Sequence, residues 1–428
     1  MNIKVFFDFH DIFVDAKSAW IKAFSELTNN EEVINDYNNK MSKKEICKKY
    51  FLDYSKVEEL YREYLNPIAD NIDFAKKLCE HYKINILSMA RKDRLLKDID
   101  KFNLKDLFDD ILGKEDIRYS TKEEYLNAAS KDYDWVIYFN HDSQKVKKDN
   151  NIIYLPVNLK GDLSQFKNLS FTEHARNKLL YNDLSKYYMY AIANDTSYET
   201  DFLINLYKQN NLPVNGSILD CCCGVGRHDY LLAKAGYKVT GIDISEEQIK
   251  NAKKIHSHEN ADYNVMDVRN INFPKKDYDM AICMWTTYNY LSQDEDFKSF
   301  LKSNYFHQHE NSLLVLDSKN ISRLNNRRVY KRNNSLKDGV KIELLVNKYI
   351  LENIQNSQYL YFINDNGKKD FYFDEEFVRF YTLDEIESLA KDYYDVLSVY
   401  GDFDFSEYDK NNSNRFIVVL KRKKWLKN

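Results

Sequence analysis

Ser217-Ile-Leu-Asp220-Cys-Cys-Cys-Gly224-Val-Gly226-Arg-His228, near the middle of the chain, decides the fold of its C-terminal half. Two apolar residues lead into an acid, small residues cross a turn, and the amphipathic run Asp229-Tyr-Leu-Leu-Ala-Lys-Ala follows at once. That order reads as a strand, a glycine turn and a helix start, the opening unit of a doubly wound α/β domain. Glycines at the turn leave no Cβ to block a ligand lying against the backbone. The next apolar run, Tyr237-Lys-Val-Thr-Gly-Ile-Asp243-Ile-Ser245, ends in a carboxylate. An acid about 20 residues beyond the turn commonly hydrogen-bonds ribose hydroxyls. Together the two stretches predict an adenosine-containing ligand. A dinucleotide site would carry G-x-G-x-x-G, but Asp229 stands where the third glycine belongs, which argues against a pyrophosphate.

At Asp220, Cys223, Gly224 and Gly226 the stretch resembles motif I of the class I S-adenosylmethionine (SAM) methyltransferases, roughly D-x-G-C-G-x-G. Cys222 replaces the first glycine of that pattern. The resemblance implies SAM as cofactor, with Asp220, Gly224, Gly226, Asp243 and Ile244 beside it. It further implies that Asp267 contacts the adenine amino group, that Val268 packs on the ring, and that Met284 closes the pocket at the end of the fourth strand. The acceptor would meet the sulfonium beside Thr286-Thr-Tyr288-Asn289-Tyr290. Leu179-Leu-Tyr181-Asn-Asp-Leu-Ser-Lys-Tyr187-Tyr188-Met-Tyr190 reads as helix-like and resembles the lid segment that precedes motif I in small-molecule methyltransferases. Tyr188 is expected over the cofactor there, because a π face attracts a sulfonium and excludes water. His228, Tyr288 and Asp317 are the candidates for a general base, and an amine acceptor could dispense with one.

Residues 325–380 break the helix–strand rhythm with long alternating runs, predicting an antiparallel β insertion. Asn364-Asp-Asn-Gly367 is a hairpin signal within it. The tail Tyr400-Gly-Asp-Phe-Asp404 and Arg415-Phe-Ile-Val-Val resembles that of a broad group of small-molecule methyltransferases.

At the N-terminus, Ile3-Lys-Val-Phe-Phe-Asp8 is a short strand delivering an acid to its carboxyl end, where ligands of open α/β sheets bind. Asp8-Phe-His10-Asp11-Ile12-Phe-Val-Asp15 resembles motif I of the haloacid dehalogenase (HAD) superfamily, with Asp8 as nucleophile and Asp15 as the distal acid. His10, Asp11 and Ile12 depart from the pattern. A helical stretch over residues 16–82 corresponds to that family's cap. Ser88, Lys122 and Asp142 match its later motifs in order. The resemblance implies Asp8 and His10 as catalytic groups and Mg²⁺ held by Asp8 and Asp142. The second acid expected beyond Asp142 is replaced at Val146 and Lys147. A silent or altered domain is therefore weighed above a working phosphatase. His10 and His141 beside the two acids also permit a different metal, with solvated histidines as the plainer account.

Composition bounds the remaining choices. The chain has 428 residues, enough for two or three domains, and 43% of them are hydrophobic, enough for real cores. A net charge of −4 gives no basic footprint for nucleic acid. Six cysteines, three of them adjacent, suit a reducing cytoplasm rather than a disulfide framework. No stretch is long and apolar enough to predict a membrane span. The expectation is a two-domain α/β protein. Its parts are a HAD-like Rossmannoid domain with a helical cap (residues 1–165, cap 16–82) and a Rossmann-like methyltransferase with an antiparallel β insertion (166–428). The acceptor would be a small molecule methylated at N or O. For the first domain, a Mg²⁺-dependent phosphatase acting on a related phosphometabolite and a non-catalytic binding or dimerisation scaffold are the two alternatives. A homo-oligomer is left open.

Overall fold

The computed structural model describes residues 1–28, 30–141, 146–156, 171, 178–187, 195–274, 277–324, 327–335 and 339–424. Contacts divide the chain into two compact units, Met1–Lys160 with Val329–Lys331, and Gly161–Arg328 with Arg332–Asn428.

In the first unit, β1 (Ile3–Phe7) leads to a run of helices, α1 (Ala16–Leu27), α2 (Glu32–Asn38), α3 (Lys43–Lys49), α4 (Tyr54–Tyr64) and α5 (Ala69–Cys79). Then come β2 (Ile84–Leu87), α6 (Lys92–Lys101), β3 (Asp110–Leu112), α7 (Lys122–Ala129), β4 (Trp135–Asn140), β5 (Lys147–Asp149) and β6 (Ile152–Pro156). The sheet order is β3-β2-β1-β4-β6-β5, and β1 pairs in parallel with both β2 and β4. Val5, Phe6 and Phe7 are fully enclosed, as suits a central strand covered on both faces. Strand order reverses at β1, so the crevice for a ligand opens where Asp8 follows it. Asp15 takes up a structural task, accepting the Ser18 amide at 3.0 Å as the N-cap of α1. Trp20 of α1 stacks on Tyr61 of α4 with ring centroids 4.2 Å apart, tying the helical region together.

The second unit contains α8 (Ser197–Gln209), β7 (Ser217–Cys221), α9 (Arg227–Lys234), β8 (Lys238–Asp243), α10 (Glu246–Ile255), β9 (Ala261–Val265), β10 (Tyr278–Cys283), α11 (Asp294–His307) and β11 (Gln308–Lys319). Further on lie β12 (Val340–Leu351), β13 (Ile354–Asp365), β14 (Lys368–Arg379), α12 (Leu383–Ala390), β15 (Tyr394–Tyr400) and β16 (Arg415–Arg422). The main sheet runs β15-β16-β11-β10-β7-β8-β9 and is parallel except for β16, which runs antiparallel to both of its neighbours, β11 and β15. Order reverses between β7 and β10, which sets a second ligand crevice at their carboxyl ends. β12, β13 and β14 form a long antiparallel meander. Its second turn places Asn366 at φ 52° and Gly367 at φ 93°, both left-handed, as a two-residue type I′ hairpin requires.

One expectation is corrected. The helix-like segment 179–190 forms two 3₁₀ turns where it is described, Leu179–Tyr181 and Ser185–Tyr187, and residues 188–190 lie outside the described residues. Between the turns, the Asn182 side chain donates to the Lys178 carbonyl at 3.0 Å, competing with helix continuation. Ser245 caps α10 by accepting the Gln248 amide at 3.2 Å, but the Gln248 side chain donates to the Leu180 carbonyl instead of returning to the cap.

Candidate functional site

The cleft of the second unit is built from β7, the glycine turn, the end of β8 and the turn after β10. Asp220, Cys222, Gly224, His228, Asp243 and Met284 all line it. Gly224 donates its amide to Asp243 Oδ2 at 2.9 Å, and the Ser245 amide donates to Asp243 Oδ1 at 2.9 Å, so the acid holds the turn's shape. Gly226 plays a different part. It sits at φ 78°, and a Cβ there would come within 2.5 Å of the Tyr263 ring. Its bareness serves packing against β9. Cys222 has φ 67°, which explains why the family pattern carries glycine at that position.

Beneath the turn lies a carboxyl pair. Asp220 is 2% exposed and Asp229 is fully enclosed. Apart from Asp220 itself, no other side chain donates to either Asp229 oxygen. Burial pushes the Asp229 carboxyl up to about 7, and burial together with the Asp229 charge pushes Asp220 well above the usual carboxylate range. Two such acids side by side must share a proton or be neutralised by a bound cation.

The turn after β10 is held under strain. Trp285 and Thr286 have φ of 63° and 68°. The Trp285 amide donates to Asp317 Oδ2 at 2.8 Å, and Asp317 is clamped by Arg415, whose Nε donates to Oδ1 at 2.8 Å. Asp317 therefore positions a turn, and it does not line the cleft. Tyr288 is 1% exposed, stacked on Phe297 inside the apolar core. His228 remains at the cleft, 2.6 Å from Glu199 Oε2, which also accepts Trp285 Nε1–H at 2.6 Å. Burial alone would raise the Glu199 carboxyl, but these partners and Arg415 bring it below its ordinary value.

Other predicted residues lie apart. Asp267 forms a fork with Arg269, which also binds Asp296 at 2.7 Å, and it does not line the cleft. Val268 is enclosed in the core and Ile244 packs against it. Tyr188 lies outside the described residues. Tyr181, in the segment resembling the lid, lines the cleft, and a polar cluster that no motif announced extends from it. The Tyr181 hydroxyl is 3.5 Å from that of Tyr290, which donates to Glu376 Oε2 at 2.6 Å. Tyr359 also donates to Glu376, and the buried Lys178 ammonium lies 3.0 Å from Glu376 and 3.2 Å from Asp374. Burial would raise the Glu376 carboxyl, but Lys178, Lys348 and the tyrosine hydroxyls hold it far below. The signal for this cluster is spread over the segment before motif I, the turn after β10 and the β insertion, so sequence spacing cannot reveal it.

The first unit brings Asp8, His10, Ser88, Lys122 and His141 to one cleft at the ends of β1, β2 and β4. Lys122, at the start of α7, is ion-paired with Asp8, and His141 Nδ1 is 3.9 Å from the same carboxylate. His10 Nε2 lies 3.0 Å from Asp98 Oδ2, which also accepts the Tyr61 hydroxyl at 3.0 Å. Asp98 was not foreseen, since its helical context reads as an ordinary amphipathic run. Asp11 has φ 61°, which accounts for the glycine of the family pattern at that place. Asp142 lies outside the described residues. Among the described residues no group of three acid, histidine or cysteine side chains is placed to hold a metal ion.

Comparison with known proteins bears on the second unit. Its nucleotide-type turn and the acid after β8 fall inside a segment that matches the family described as "Methyltransferase domain". Residues 218–305 carry a methyltransferase domain. The chain is 35% identical over 94 residues to the protein YqeM of Bacillus subtilis (strain 168), covering 22% of this chain and 38% of that one. A glycine/sarcosine N-methyltransferase of Parasynechococcus marenigrum (strain WH8102) is 27% identical over 133 residues, covering 29% of this chain and 45% of that one. The chain thus spans less than half the length of these two curated relatives. Among solved structures, a SAM-dependent methyltransferase from Clostridium acetobutylicum ATCC 824 overlaps 56% of this chain and 98% of its own, with 20% identity and a TM-score of 0.48. The family model and both curated relatives are methyltransferases. Among the described residues, no helix is long and apolar enough to cross a membrane.

Proposed function

We propose that the chain transfers a methyl group from SAM to nitrogen or oxygen of a small-molecule acceptor. The observation that carries this reading is the enclosed Asp220–Asp229 pair under a glycine turn, beside Asp243. Its chemistry fits a ligand with cationic groups, since a nearby positive charge stabilises both carboxylates in the ionised state. SAM would supply an electrophilic methyl on a sulfonium. Asp220, Gly224, Asp243 and Met284 would bind and orient it, and Tyr181 and Trp285 would exclude water. His228, held by Glu199, is the cleft's best-placed proton acceptor for a hydroxyl or ammonium acceptor.

The test is S-adenosylhomocysteine formation over a panel of small amines and alcohols, run beside SAM titrations. Wild type should bind SAM and turn over at least one acceptor. Asp220→Asn should weaken SAM binding by about tenfold or more. Absence of SAM binding in the wild type would overturn the reading.

A second reading applies to the first unit, because Asp8, Ser88 and Lys122 converge in one cleft. We infer a HAD-like phosphate-ester site in which Asp8 is the nucleophile, Lys122 offsets charge, and His10, held by Asp98, donates the proton. Phosphate release with and without Mg²⁺, lost in Asp8→Asn, is the expected outcome. No release under either condition would leave this unit as a non-catalytic scaffold.

A further inference from the structure

The same cleft holds two cations that the phosphoryl chemistry does not use. Lys43, on α3, and Arg94, on α6, line it together with the Asp8–Lys122 pair. Neither makes an ion pair or hydrogen bond with any described residue, and Arg94 Nε is buried without a partner. Lys43 instead lies over the rings of Trp20, at 5.7 Å, and Tyr37, at 5.5 Å, both of which also line the cleft. Burial and the nearby Arg94 charge lower the Lys43 ammonium's pKa, and only Asp11 opposes them. Asp11 itself is held back by the Lys17 amide, which donates to its Oδ1 at 2.7 Å. Two like charges facing one another across a partly buried cleft are costly unless an anion sits between them. An arginine fork and an ammonium on an aromatic floor suit a planar carboxylate or a phosphate.

We propose that Lys43 and Arg94 form a second anion subsite, so that the first unit's ligand is a small molecule with two anionic groups, one held at Lys122 and the other at Lys43 and Arg94. The proposal rests on the phosphate-site reading for the first group only, and it concerns binding rather than turnover.

The full-length chain carrying Asp8→Asn, in which hydrolysis cannot confuse the result, would be titrated calorimetrically. The probes are 2-phosphoglycolate, 3-phosphoglycerate and fructose 1,6-bisphosphate, with inorganic phosphate as the single-group control. At least one two-anion probe should bind about tenfold or more tightly than inorganic phosphate. Arg94→Met and Lys43→Met, each in that background, should remove most of this advantage and bring the two-anion probes close to the affinity of inorganic phosphate. Undisturbed SAM affinity and circular dichroism would show that the variants fold. Equal binding of all four probes, or an advantage untouched by both substitutions, would overturn the proposal. Phosphate release by the wild type is a separate readout, so a silent phosphatase with a two-anion preference would sink the enzymatic reading and leave this one standing.

Discussion

Single residues in the methyltransferase domain carry measurable signatures. Cys222 adopts a left-handed backbone that glycine would adopt at little cost. Cys222→Gly should therefore stabilise the domain by about 1 kcal/mol in denaturant unfolding, with SAM binding retained, whereas a β-branched replacement should destabilise it. Asp229 gives a pH signature whose sign follows from its raised pKa, about 7 in the fold. The folded domain keeps a proton that the unfolded chain releases near pH 4, so this contribution to stability is complete at low pH. It is lost as pH rises toward 7. Binding of a cationic ligand should show the opposite trend, with affinity rising about tenfold from pH 6 to pH 7.5. Asp229→Asn should flatten both profiles. Thermal unfolding and SAM titrations across that range check the pair together.

At the scale of elements, the turn after β10 depends on a strand it does not belong to. Asp317 of β11 is fully enclosed, binds the Trp285 amide and is clamped by Arg415 of β16. Removing one partner leaves a buried charge unpaired, and Arg415→Met should cost about 3–5 kcal/mol of stability. It should also release the strained Trp285–Thr286 backbone, so SAM turnover should fall even at temperatures where the variant remains folded. The glycine turn and the acid after β8 were legible because their chemistry is local: a tight turn and its carboxylate lie within a few dozen residues. The reverse holds for Asp317, an expected base that proves to be a strut. Its role is set by Arg415, nearly a hundred residues away, and no local pattern encodes that distance. Tyr288 misleads for a related reason, since burial against Phe297 depends on how α11 packs. Asp267 has a partner only two residues on, in Arg269.

Across the whole molecule, the α/β class was readable from alternating strands and helices, and the antiparallel insertion from its change of period. The polar cluster of Lys178, Glu376 and Asp374 was not, because its members come from distant segments and meet only through the folded insertion. Two compact units, each with its own sheet, predict two calorimetric unfolding transitions, and SAM should raise the midpoint of one alone. A single transition shifted as a whole would show that the units unfold as one cooperative body.

The central claim is that the crevice between β7 and β10 binds SAM through the Asp220–Asp229 pair. Isothermal titration of wild type and Asp220→Asn with SAM, repeated in buffers of different ionisation enthalpy, tests it most directly. The wild type should bind with release of a proton near pH 6.5, and Asp220→Asn should bind about tenfold or more weakly. Binding that releases no proton and ignores the substitution, or no binding at all, would contradict the account.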